Sequence, residues 1–171
     1  MVGNGLILDV NKYAKLRKDL PSWENYLEDC GSARIKSNEF RTDNIFNGKY
    51  RGVQVEWEGY LIGEGSITRR GAQINGMRVK MSPTDSSDED IILQVNPSSE
   101  VKVNEILKQL TVGDKFSFKG VLSGIGNEEY PHIVTVSEAG LPTAKMGEEA
   151  LKNIPLYEFK KNSRMFGKNR L

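Results

Sequence analysis

Few residues in this chain could carry out acid–base, nucleophilic or metal chemistry, and none has the company that chemistry needs. His132 is the only histidine and Cys30 the only cysteine. A general base needs a group to orient it, and a zinc site needs several nitrogen or sulfur ligands. One cysteine forms no disulfide within the chain. Because thiol reactivity needs exposure and a lowered pKa, Cys30 on an apolar stripe is expected to be buried and inert. Asp85, Asp88, Glu89 and Asp90 make a dense carboxylate run. Calcium takes such oxygen ligands, but the spacing lacks the central glycine and closing glutamate of an EF-hand loop. The run therefore reads as a solvated acidic loop. No phosphate-binding glycine loop, nucleophile elbow or paired-carboxylate signature is present. These absences point to a non-enzymatic protein with no cofactor and no metal.

Six residues read instead as a partner-binding set. Arg69 and Arg70 fall in the Gly-rich stretch 63–76, expected to be a loop between the first two strands. Arg78 and Lys80 alternate with Met77, Val79 and Met81 and so point outward. Ile92 and Gln94 alternate likewise with Ile91, Leu93 and Val95. None of the four outward positions is aromatic. A single-stranded nucleic-acid face draws roughly 1–3 kcal/mol per base from aromatic stacking, and this one has no platform for it. Glu56 and Glu58 make the neighbouring strand acidic. The net charge of +1, from 24 basic and 23 acidic residues, lacks the basic excess of a polynucleotide binder. A protein partner is the first expectation and single-stranded nucleic acid the alternative. Changing Arg78 and Lys80 to glutamate is expected to weaken capture without unfolding the chain.

The elements that must position these residues fall into three zones. In residues 1–47, Asp9 is placed to cap a helix that stops before Pro21, and Ser22 to cap a second. Trp23, Tyr26, Leu27 and Cys30 then form one helical stripe, with Gly31 expected as a left-handed C-cap. In residues 48–138 the period changes to two. Val53, Val55, Trp57, Gly59 and Leu61 alternate with polar residues and Tyr60. Two further alternating runs follow, then Pro97-Ser98-Ser99 as a helix start with Val103, Ile106, Leu107 and Leu110 at helical spacing. Phe116 and Phe118 open a fourth strand and residues 133–136 form a fifth. The order β-β-β-α-β-β predicts a mainly β fold, a five-stranded OB-type Greek-key barrel with one helix between strands three and four. Residues 139–171 read as an extension, helical over 143–154 until Pro155, then basic (Lys160, Lys161, Arg164, Lys168, Arg170) and flexible. Mean hydropathy is −0.50, and no apolar run approaches the roughly 20 residues of a membrane span. No apolar signal-peptide core follows Met1.

Three stretches carry a family resemblance. Trp23-x-x-Tyr26-x-x-x-Cys30 comes first. Residues 48–59, read Gly-Lys-Tyr-Arg-Gly-Val-Gln-Val-Glu-Trp-Glu-Gly, come second. Asp90-Ile91-Ile92-Leu93, Ser98-Ser99-Glu100, Leu107-x-x-Leu110-x-x-Gly113, Phe118, Leu122 and Gly124 complete the set. In this order they resemble the lumenal, C-terminal OB-fold domain of the wolframin family. The resemblance spans residues 22–138, and a second cysteine that the family's pattern would place near 41–47 is missing. It implies a non-catalytic domain of a membrane protein of the endoplasmic reticulum, making protein contacts linked to calcium balance, stress responses and cargo handling. On that expectation the chain is a lumenal piece of something larger. Without it, a cytoplasmic module is expected.

Overall fold

The computed structural model describes residues 20–69, 71–82, 90–127 and 131–152. Five strands carry the fold: β1 (Gln54–Arg69), β2 (Ala72–Lys80), β3 (Asp90–Val95), β4 (Asp114–Gly124) and β5 (His132–Ala139). β1 pairs antiparallel with β2, β2 with β3, and β4 with β5, while β3 and β5 run parallel. A fifth pairing, β1 with β4, closes the ring. The cyclic order β1-β2-β3-β5-β4 is that of a closed OB-type barrel, as the strand and helix order predicts.

Alternation builds the barrel because successive strand residues face opposite sides. In β4, Phe116, Phe118 and Leu122 are buried while Lys119 and Val121 face out. In β1, Val55, Trp57 and Leu61 are buried. Closure bends β1 so that Gln54–Tyr60 serves β4 and Tyr60–Arg69 serves β2. Gly59 sits at the crossover, where a Cβ would lie 2.3 Å from Val79 Cγ1. At Gly120, beside a bulge in the β4–β5 ladder, a Cβ would lie 2.3 Å from the Thr135 carbonyl oxygen.

The stretch 63–76 departs from expectation. It is not a loop: β1 and β2 run on as a long hairpin, with Gly65 paired to Gly76 and the turn at Gly71, whose φ is +79°. Backbone hydrogen bonds across the pair outweigh the weak strand preference of glycine. Arg69 therefore ends a strand.

Both ends of the barrel are plugged. A 3₁₀ turn (Pro97–Ser99) leads into α4 (Glu100–Leu107), which buries Val103 and Leu107 where β3 and β5 finish. The Asn96 amide donates to the Val136 carbonyl at 2.9 Å and ties the turn to β5. The other end takes α1 (Trp23–Cys30), α2 (Ser32–Ser37), α3 (Glu39–Ile45) and a π-helical turn (Phe46–Tyr50). Ser22 caps α1 by accepting the Asn25 amide at 3.0 Å. Gly31 is a correction: with φ −74° and ψ 171° it is extended, and it serves as N-cap of α2 rather than as a left-handed C-cap. Tyr26, Cys30, Ile35, Phe46 and Tyr50 join one core with the barrel strands.

Beyond β5, β6 (Ala144–Lys145) pairs with the start of β4, and only α5 (Glu148–Lys152) is helical. The expected helix over 143–154 is shortened because Thr143 is held to Lys115 by its backbone amide. Met146 is buried against Ile62. The expected helix before Pro21, the acidic run 85–89 and the basic run after Pro155 lie outside the described residues. No helix among the described residues is long and apolar enough to cross a membrane.

Candidate binding surface

The outer wall of β2, β3 and β5 gathers four of the six predicted residues. Arg78 on β2 lies opposite Ile92 on β3, and Ile92 opposite Ile133 on β5, so the three form one lateral row. Lys80 lies opposite Asp90 at the next step, and half-buried Gln94 opposite Thr135 two residues on. Arg69 closes β1 with no described side chain, and Arg70 lies outside the described residues.

Two members of the set are not what alternation suggests. Ile92 does point away from the barrel interior, yet it is fully buried, in a satellite cluster with Ile133 and half-buried Ile74. The cause is the hairpin. Gly65 and Gly76 have no side chains, so Ile92 lies across them, with its Cδ1 3.5 Å from where a Gly65 Cβ would stand. Ile92 is thus no exposed anchor. Arg78 is committed as well. Its Nε donates to Asp90 Oδ2 at 2.6 Å and its Nη2 to Asp90 Oδ1 at 3.4 Å, with side chains only 16% and 6% exposed. Asp90 belongs to this buried pair, not to the solvated acidic loop. A glutamate at position 78 would set two carboxylates together in a buried site, which is strongly destabilising. The expectation that charge reversal there spares the fold is therefore withdrawn.

What the wall offers instead is a groove of about 230 Å³ beside this isoleucine cluster. Ile74, Ile125 and Ile133 form its apolar side, and Asp43, Asn47 and Arg51 from the helical plug form its polar side. Arg51 is held in place: it donates to Asn47 Oδ1 at 2.8 Å and to the Ser123 carbonyl at 3.0 Å, and it lies 5.1 Å from the centroid of the Phe46 ring. Sequence reasoning missed this site. Apolar residues at the outward positions 74 and 133 are the signal that could have found it.

His132 has a structural task. It is 2% exposed, and its Nδ1 accepts both the Tyr26 hydroxyl at 2.8 Å and the Gly126 amide at 2.9 Å. An Nδ1 that accepts an amide carries no proton, so the ring is the Nε2–H tautomer. Trp23 and Tyr26 pack edge-on to it. Beside this cluster, Asp29 accepts from Lys49 at 2.8 Å and from the Tyr50 hydroxyl. The Lys49 hydrogen bond, then that of Tyr50, holds the Asp29 carboxyl below its usual range. Burial, then the bond to Asp29, pushes Tyr50 up to about 12. Burial pushes the Cys30 thiol up to about 12, so it is not a thiolate at neutral pH. Among the described residues no group of three or more histidine, cysteine, aspartate or glutamate side chains could hold a metal ion.

No protein-family model, curated protein or solved structure matches this chain.

Proposed function

We propose that this chain is a non-catalytic OB-type binding module that takes a protein segment on its β2–β3–β5 wall, seating one apolar side chain in the groove beside Ile74 and Ile133. The observation that carries this reading is the groove itself. It has room for a single large side chain, an aliphatic wall on one side, and amide and charged groups on the other that can hold a peptide backbone. OB-type barrels present their ligands on this wall, and the row Arg78–Ile92–Ile133 carries no aromatic ring on which bases could stack.

The wolframin-like residues support the same reading from another side. Trp23, Tyr26, Cys30, Phe118 and Leu122 all pack in or against the common core, so the resemblance rests on residues that build the fold. On it we place the chain in the endoplasmic reticulum lumen, serving protein contacts in homeostasis there. Panning a displayed library of random dodecapeptides against the full chain tests the binding reading. Peptides with a central apolar residue should enrich, and Ile74→Asp should release them while the chain stays folded. Enrichment of nothing, with salt-steep capture of oligo-dT instead, would overturn it. Protease protection in microsomes tests the location: digestion of the domain in sealed vesicles would refute a lumenal site.

A further inference from the structure

The groove beside Ile74 borders a strand edge that stands open. β2 pairs with β1 along its whole length, from Ala72 to Lys80, but with β3 only from Met77 to Lys80. Residues 73–76 are therefore paired on one side only, while β3 runs on to Val95 beside β5. Resting on the reading of the groove as a peptide site, we propose that an extended segment of a partner protein adds to this edge of β2 as a further strand and from there sets one apolar side chain in the groove.

The backbone groups point to such a ligand first. In an antiparallel pair each residue turns its N–H and its C=O to the same side, and successive residues alternate. The hairpin closes through Arg69 and Ala72 across a two-residue turn, so Ala72, Ile74 and Gly76 bond back to β1. Gln73 and Asn75 face the other way. Met77, next in that series, is where β3 takes over. Among the described residues, the Gln73 and Asn75 backbones make no hydrogen bond to another element. The edge is also unguarded. Proteins protect free edges with charge, proline or bulges. Residues 71–77, Gly-Ala-Gln-Ile-Asn-Gly-Met, hold no charged residue and no proline, and the ladder from Gly63 to the turn has no bulge. The opposite edge of the hairpin differs, since β1 carries the bulge at Leu61–Gly63 and then Glu64. Finally, the edge and the groove ask for the same ligand. A strand laid about 4.8 Å from β2 puts the residue beside Ile74 on the face of Ile74. That face meets Ile92 and Ile133, and the groove lies there, with Asp43, Asn47 and Arg51 across it. A helix bonds its own backbone groups and has none to offer the edge. The fitting occupant is an extended segment, apolar at the residue beside Ile74.

The probe is the dodecapeptide that panning enriches, labelled and titrated with the full chain by fluorescence anisotropy. Gln73→Pro and Asn75→Pro each delete one N–H that faces the edge and no bond to β1, a place where a strand tolerates proline. Each should weaken binding about tenfold and keep the unfolding midpoint. Gln73→Ala and Asn75→Ala retain the N–H and should bind as wild type does. A second measurement needs no variant of the chain: methylating the peptide's amide nitrogens one at a time should cut binding at every second residue of the bound segment. Should both proline variants unfold, this scan alone decides. Full binding by folded proline variants, or a peptide that tolerates methylation throughout, overturns strand addition. Release by Ile74→Asp in the same titration would then leave the groove reading standing, whereas a chain that enriches no peptide overturns both. A dimer in sedimentation that Asn75→Pro dissociates would put a second copy of the chain on the edge and overturn the partner segment.

Discussion

At the scale of single residues, the side chains that look most chemical hold the plug to the barrel. His132 Nδ1 serves two buried donors, the Tyr26 hydroxyl and the Gly126 amide. His132→Ala removes the acceptor these two donors share and opens a cavity, so the loss should be roughly 3–5 kcal/mol. Asparagine places its Oδ1 near the Nδ1 position and should recover part of that. Urea unfolding midpoints of the two variants check this, and equal losses would contradict the role given to Nδ1. Asp29 supplies the pH dependence. Its carboxyl is held below the ordinary value of 3.8 by Lys49 and Tyr50, so the folded state binds its proton less readily than the unfolded state. The stabilisation is therefore complete above pH 3.8 and fades as pH falls below it. Asp29→Asn should be less stable than wild type at neutral pH, and the gap should narrow by pH 3.

At the scale of elements, what alternation and helical spacing can encode was legible and what contacts decide was not. Val55, Trp57 and Leu61 announce β1, and Phe116 and Phe118 announce β4, because one face of each is buried. The helical character of residues 1–47 is legible, but the separate bounds of α2 and α3 are not: each is too short for a periodic stripe and buries a single residue, Ile35 or Thr42. The hairpin over 63–76 was read as a loop because its glycines say nothing about the carbonyls that will approach them. In the site, the outward direction of Ile92 and Arg78 could be read, but Ile92's cover and Arg78's partner could not, since Asp90 looked like one acid in a run of acids. The barrel's closure gives a test of the same kind. At Gly120 a Cβ would meet only backbone, the Thr135 carbonyl at 2.3 Å and Val136 Cα at 2.9 Å, so no side chain can swing aside. Gly120→Ala should cost about 3 kcal/mol. Gly48→Ala, with nothing within 4 Å, should change stability by no more than about 0.5 kcal/mol. Denaturation midpoints of the pair decide it, and a harmless Gly120→Ala would mean that β4 and β5 are not so tightly apposed.

At the scale of the whole molecule, the division into a helical extension, a barrel and a tail follows the sequence better than it follows the core. Tyr26 and Phe46 are fully buried and Tyr50 is 4% exposed, all in one cluster with Val55, Leu61, Leu93 and Val134. Burying three such aromatic side chains is worth on the order of 5–9 kcal/mol. The net stability of an ordinary domain is only about 5–15 kcal/mol. The barrel end near His132 thus depends on α1 and the π-helical turn for both its apolar cover and its hydrogen-bond donor, Tyr26. A fragment of residues 48–171 would keep every strand yet lose Tyr26, Cys30, Ile35 and Phe46, and should show no cooperative unfolding transition by near-UV circular dichroism or calorimetry. Adding residues 20–47 back should restore it. A cooperative fragment 48–171 would show that the five strands and α4 suffice. In that case Arg51 would lose its Asn47 brace and Phe46 ring, and the groove beside Ile74 would be the first feature to change.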